Sequence, residues 1–247
     1  MIKLLLIFAL LPSLVMAQGA SNKTVVLIHG AFADGSSWDK VIPLIQSKGV
    51  NVVAVQNPLT SLADDVAAGK RVIDALNGPV ILVGHSWGGT VITELGDHAK
   101  VAALVYVAAF APDVGQSTGD LGKDGPPPPG AASIRPDSAG FLYLTPEGVA
   151  KDFAQDLPAN QTKVMAVTQG PVFAKAFEEK VSKAAWKSKP SWFIVAEKDR
   201  MIQPDLERAM AKKIGAKVTT LPTSHVPMQS RPKEVAAVIL AAAAAVK

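Results

Sequence analysis

The sequence predicts an α/β protein built on a mostly parallel, doubly wound sheet, and three observations carry that prediction. Short aliphatic runs recur along the chain, each closed by a turn signal and followed by a helical pattern, the alternation that parallel β-α-β units require. Several runs, "TVVLI" and "PVILVG" among them, are nearly continuous in apolar residues rather than alternating, as expected of strands covered by helices on both faces. The chain is 247 residues long, enough for one large α/β domain or two small ones, with a core that needs no staples.

Taken in order, "KTVVLIHG" reads as a strand ending at Gly30, and a helix is expected from Ser37 to Lys48. "VNVVAVQN" is a second strand; Leu62–Leu76 then has apolar residues at helical spacing and stops before Asn77-Gly78-Pro79. "PVILVG" is the next strand and "TVITELGDH" the helix after it. "KVAALVYVAAFAP", "PSWFIVAE" and "AKVTTLP" each supply a further element, and the alanine-rich run Lys233–Val246 closes the chain as a helix. Between Pro112 and Lys189 the pattern changes. "GKDGPPPPG" can be neither strand nor helix interior, because consecutive prolines remove donors and fix φ. Short helical pieces with Phe141, Tyr143, Phe153, Phe173 and Trp186 follow, too aromatic for a linker. Residues 113–188 are therefore expected to form a cap inserted over the carboxyl ends of the strands, within a single domain spanning 18–247.

The stretch before that domain, "MIKLLLIFALLPSLVMAQ", joins a basic Lys3 to an apolar run and a small-residue cleavage pattern ending at Ala17. Residues 1–17 read as a signal peptide; the run is shorter than the roughly 20 residues of a spanning helix, and Pro12 interrupts it, so no stable membrane anchor is expected after cleavage. The destination is periplasmic or secreted. With no cysteine, neither disulfides nor thiolate chemistry is available. Net charge is +4, but the 25 basic residues are scattered among 21 acidic ones. The densest basic stretch, "EEKVSKAAWKSKP", alternates in sign like a solvated helix face, and no nucleic-acid partner is expected.

"GHSWGG" at 84–89 contains a G-x-S-x-G motif. Such a motif arises by chance in roughly one chain in ten of this length, so its weight comes from context. Here it joins the end of a buried strand to the start of a helix, as a nucleophile elbow must. Gly84 and Gly88 permit a turn too tight for side chains, which would hold Ser86 Oγ above the sheet with a helix N-terminus behind it.

A serine hydroxyl needs a base. Of the four histidines, His29 ends the first strand, His85 lies within the elbow and His98 ends the following helix; His225, in "PTSHVP" after the last strand, is the candidate. Strand ends of a parallel sheet converge on one face, so distance in sequence is no obstacle. The imidazole in turn needs an acid, and "FIVAEKDRM" offers Asp199 at another strand end, giving the order Ser, Asp, His. Glu197 and Asp205 are its rivals, the latter placed to start a helix after Pro204. Oxyanion donors are expected from the backbone N–H of Trp87 and from the "HGAFADGSSW" loop, at Ala31 or its neighbour Phe32.

Through "HGAFADGSSW", "GHSWGG", "AEKDRMI" and "SHVPM", the sequence resembles the α/β-hydrolases over nearly all of residues 18–247. Within them it is most similar to the branch holding methyl-salicylate-type esterases, hydroxynitrile lyases and small bacterial esterases, an impression to which "YVAAFAPD" adds. The resemblance implies a triad of Ser86, Asp199 and His225, oxyanion donors at Ala31 and Trp87, a pocket wall including Phe110, and no cofactor. One departure matters: hydroxynitrile lyases typically carry a lysine after the histidine, where this chain has Val226, which argues against lyase chemistry.

The expectation is thus an exported serine hydrolase that cleaves a small to medium carboxylic ester through an acyl-enzyme, in a pocket formed by Phe32, Trp87, Phe110 and cap aromatics. It needs no metal. Two alternatives stay open on the same scaffold: a cofactor-free perhydrolase or oxygenase, and a small-ligand receptor.

Overall fold

The computed structural model describes residues 22–123 and 125–246, so the segment read as a signal peptide, residues 1–17, lies outside the described residues. The chain runs β1 (Thr24–Ile28), α1 (Ile42–Gln46), β2 (Asn51–Val55), α2 (Leu62–Ala75), β3 (Val80–His85), α3 (Trp87–Leu95) and β4 (Val101–Val107). An inserted stretch follows with β5 (Ile134–Pro136), β6 (Phe141–Leu144), α4 (Pro146–Gly148), α5 (Ala159–Thr168) and β7 (Val172–Phe173). The chain then resumes with β8 (Ser191–Ala196), α6 (Pro204–Lys213), β9 (Lys217–Leu221), α7 (Pro227–Ser230) and α8 (Pro232–Ala245).

Six strands form one sheet in the order β2-β1-β3-β4-β8-β9, every neighbouring pair parallel. Burial explains the residue choice. β1, β3 and β8 are buried at every position, whereas each edge strand, β2 and β9, buries only its last residue fully, which is why the central strands read as unbroken apolar runs. α2 is tied at its start by Ser61, whose hydroxyl accepts the Asp64 N–H at 2.9 Å. No helix among the described residues is long and apolar enough to cross a membrane.

Two local readings change. The helix expected over Ser37–Lys48 is divided into a 3-10 turn, Gly35–Trp38, and the short α1. Pro43 is the physical cause, because a proline clashes with the carbonyl four residues back and so sits at the start of α1 rather than within a longer helix. The inserted stretch also holds a small antiparallel sheet, β5-β6-β7, alongside its helical pieces.

Candidate active site

The site lies where β1, β3, β4, β8 and β9 end. β3 stops at His85, α3 starts at Trp87, and Ser86 makes the turn between them at φ 52° and ψ −120°. A non-glycine residue at positive φ carries about 1–3 kcal/mol of strain, which surrounding contacts must offset. Here the Ser86 N–H donates to Val107 O at 3.2 Å, and Ser86 O accepts from the N–H groups of Gly89 and Phe110 at 2.9 and 3.2 Å. The flanking glycines are required by close approach: a Cβ on Gly84 would lie 2.4 Å from Gly88 O, and one on Gly88 would lie 2.6 Å from Ile28 O.

His225 Nδ1 is 2.5 Å from Asp199 Oδ2, with both side chains almost wholly buried. The other oxygen, Asp199 Oδ1, accepts the N–H groups of Met201 and Ile202 at 2.6 and 2.9 Å. With the carboxylate so fixed, Nδ1 is the protonated nitrogen of a neutral His225 ring and Nε2 is the basic one. The rival acids face solvent. Glu197 lies 3.8 Å from Arg208, and Asp205 pairs with the same guanidinium at 2.8 Å.

Ser86 and His225 line one cavity of about 230 Å³, together with Ala31, Phe32 and Phe110 from neighbouring strand ends. The inserted stretch adds Thr118, Ile134 and Phe177 to its lining, and Met201 and Ile202 complete a largely apolar wall. In the loop after β1, Phe32 has φ 60° and donates its N–H to Gly170 O at 3.1 Å, so that donor is already engaged. Ala31, one residue earlier, borders the cavity.

Trp87 departs from its expected place in the pocket wall. Its indole is fully buried, packs edge-on against Phe177 with ring centroids 5.4 Å apart, and donates Nε1–H to Asp65 Oδ2 at 2.7 Å. Asp65 also accepts the N–H of Leu59, itself at φ 59°, at 2.8 Å. Burial raises the Asp65 pKa to about 6, against the lowering effect of these two hydrogen bonds.

The remaining histidines are structural. His29 is buried; its Nε2 accepts the Asn57 N–H at 2.9 Å, and burial lowers its pKa. His98 pairs with Asp74 near the surface. His85, which sequence reasoning noted only as part of the elbow, contacts His225 directly. Its Nε2–H donates to His225 O at 2.8 Å, and its ring centroid is 4.8 Å from that of His225. Burial, and then the neighbouring His225, hold its pKa well below the ordinary value, so it stays neutral. Asp65 and Glu207 were likewise missed: each is a carboxylate in a helical stretch, where sequence assigns charge to the solvent side.

A doubly wound parallel sheet with a strained serine between strand and helix, and a buried His-Asp pair beside it, defines a hydrolase of the nucleophile-elbow class. Comparison with known proteins agrees. The family model described as "Alpha/beta hydrolase family" matches residues 25–238, and the chain belongs to that family. It is 30% identical to a pyrethroid hydrolase of Sphingobium wenxiniae, with 87% of this chain and 85% of that one covered. It is 26% identical to methylesterase 3 of Arabidopsis thaliana, covering 91% of this chain and 97% of the relative. Among solved structures it resembles a pyrethroid hydrolase from Sphingobium faniae, with a TM-score of 0.78, 25% identity, and coverage of 89% of this chain and 96% of that one.

Proposed function

We propose that the protein is a carboxylic-ester hydrolase in which Ser86, His225 and Asp199 act as a triad. One observation carries the reading: Ser86, held on its strained turn, borders the same cavity as His225, whose far nitrogen is locked 2.5 Å from Asp199. Ser86 Oγ attacks the ester carbonyl carbon while His225 Nε2 takes its proton. Negative charge develops on the carbonyl oxygen and meets the backbone N–H groups of Ala31 and Trp87. Ala31 is preferred to Phe32 because the Phe32 N–H is committed to Gly170. The imidazolium then protonates the departing alcohol, leaving an acyl-serine. Water, deprotonated by the same nitrogen, attacks that acyl carbon and releases the acid with the serine restored.

The apolar wall of Phe32, Phe110, Phe177 and Ile134 favours an uncharged ester with apolar or aromatic groups, a preference in keeping with the methylesterase and pyrethroid hydrolase names of the relatives. Val226, where hydroxynitrile lyases typically have a lysine, is fully buried and offers no charge to cyanide. Residues 113–188 serve as the cap of a single domain, and residues 1–17 direct export.

The test is turnover of a graded series of p-nitrophenyl esters by the protein and by Ser86→Ala. Loss of about 10⁴-fold or more in kcat, with the fold retained, is expected for removal of a nucleophile. Comparable turnover by both proteins would remove Ser86 from the mechanism.

A further inference from the structure

Glu207 is the one buried glutamate among the described residues, with 0% of its surface exposed. It lies on the first turn of α6, directly after the loop that carries Asp199. One oxygen, Oε2, accepts the Ala196 N–H at the end of β8 at 3.0 Å. The other, Oε1, has no donor, and the carboxyl meets the side chain of Asp199. Arg208, the adjacent cation, is directed elsewhere, to Glu197 and Asp205. Two carboxyl groups in contact inside a protein cannot both be ionised cheaply, because each charge lacks water and repels the other. Asp199 is the one stabilised as an anion: it faces His225 and accepts two backbone N–H groups, whereas Glu207 accepts one.

We infer that Glu207 holds a proton at neutral pH and donates it in a hydrogen bond to Asp199, making it a positioning residue for the His225-Asp199 pair. The inference rests on the proposed triad. The unpartnered Oε1 then becomes a donor to the carboxylate, so no buried polar atom at this contact is wasted. Burial first, and the Asp199 charge second, raise the Glu207 pKa well above the ordinary glutamate value, consistent with the geometry. The charged groups around it are Asp199 and Arg208, with His225 reached through Asp199 and Glu197 and Asp205 reached through Arg208. At alkaline pH, ionisation removes the donor and sets a second negative charge against Asp199, which loosens the carboxylate that orients His225.

Glu207→Gln is the informative variant, since its amide can both accept from Ala196 N–H and donate to Asp199 without titrating. The pH profile of kcat/KM for a p-nitrophenyl ester, with the Ser86→Ala rate subtracted, is expected to fall about tenfold on the alkaline side in the natural protein, the size of one charge-assisted hydrogen bond. The variant should hold its activity over the same range. Infrared difference spectra of protein labelled with carboxyl-¹³C glutamate should show a protonated-glutamate band at neutral pH that vanishes in Glu207→Gln. Coincident pH profiles, or a neutral-pH spectrum without that band, would overturn the proposal. The band needs neither activity nor the variant's folding, because Glu207 is the only glutamate shielded from water among the described residues. If natural protein and Ser86→Ala are equally inactive, it is the triad reading that fails, and the band alone decides whether Glu207 is protonated.

Discussion

Asp65 links the elbow to global stability in a way that pH should expose. Its carboxylate holds Trp87 Nε1 and Leu59 N, but its burial lifts its pKa from an ordinary 3.8 to about 6 in the folded protein. Well below pH 3.8, folded and unfolded chains are both protonated at this residue, and it adds no pH-dependent cost. As pH rises from there to about 6, the unfolded chain ionises while the folded one resists, so stability is lost, and the loss is complete above the folded value. A rise from 3.8 to about 6, at about 1.4 kcal/mol for each tenfold change in proton affinity, amounts to about 3 kcal/mol. Asp65→Asn abolishes this titration. It also leaves one of the two N–H donors facing an amide NH₂, a loss of about 1–3 kcal/mol at every pH. Urea unfolding of both proteins at a series of pH values separates the constant cost from the varying one. The free-energy gap between natural protein and variant should move by about 3 kcal/mol in the variant's favour from acid to neutral pH. A gap that stays flat, or moves toward the natural protein, would mean that Asp65 is ionised without penalty and that burial does not control it.

Further outcomes follow from the site and its frame. Asp199→Asn should leave the circular dichroism spectrum intact and lower ester turnover by about 10⁴-fold, because the amide favours the wrong imidazole tautomer; retention of a tenth of the activity would reassign the acid. Gly89→Ala would set a Cβ 2.2 Å from Phe110 O and 2.8 Å from Ala109 Cβ, contacts with rigid neighbours that cannot yield cheaply. Destabilisation of at least about 1–3 kcal/mol is expected from such overpacking, read as a lower Tm, and an unchanged Tm would contradict the close approach of α3 to the β4 end.

The sheet was legible because its central strands are buried on both faces, and an unbroken run such as "VVLI" has few other readings. Ser86, Asp199 and His225 could be nominated because all three follow strands, and strand ends share a face. The inserted stretch was less legible. β5, Ile134–Pro136, and β7, Val172–Phe173, are too short for a periodic signal, and their pairing with β6 depends on contacts far along the chain. Trp87 misled for a different reason: it directly follows Ser86, yet its side chain turns into the core, and no sequence pattern shows which way a side chain at that position points. Asp65 and Glu207 were invisible because a carboxylate on an amphipathic helix normally faces water, and only the tertiary fold places these two against an indole and another carboxylate.

Contacts between the inserted stretch and the acid-histidine loops have an engineering consequence. Phe153 packs against the His225 ring with centroids 5.2 Å apart, Asp156 accepts the Ser224 N–H at 2.9 Å, and Asp152 binds Arg200 at 2.7 Å, one residue from Asp199. This stretch is therefore not an interchangeable module. Exchanging it wholesale for that of a relative, as a route to new specificity, would withdraw the contacts that hold the His225 ring and the segments beside His225 and Asp199 together. Loop grafts confined to the walls around Thr118 and Phe177 would alter substrate fit while leaving those contacts in place.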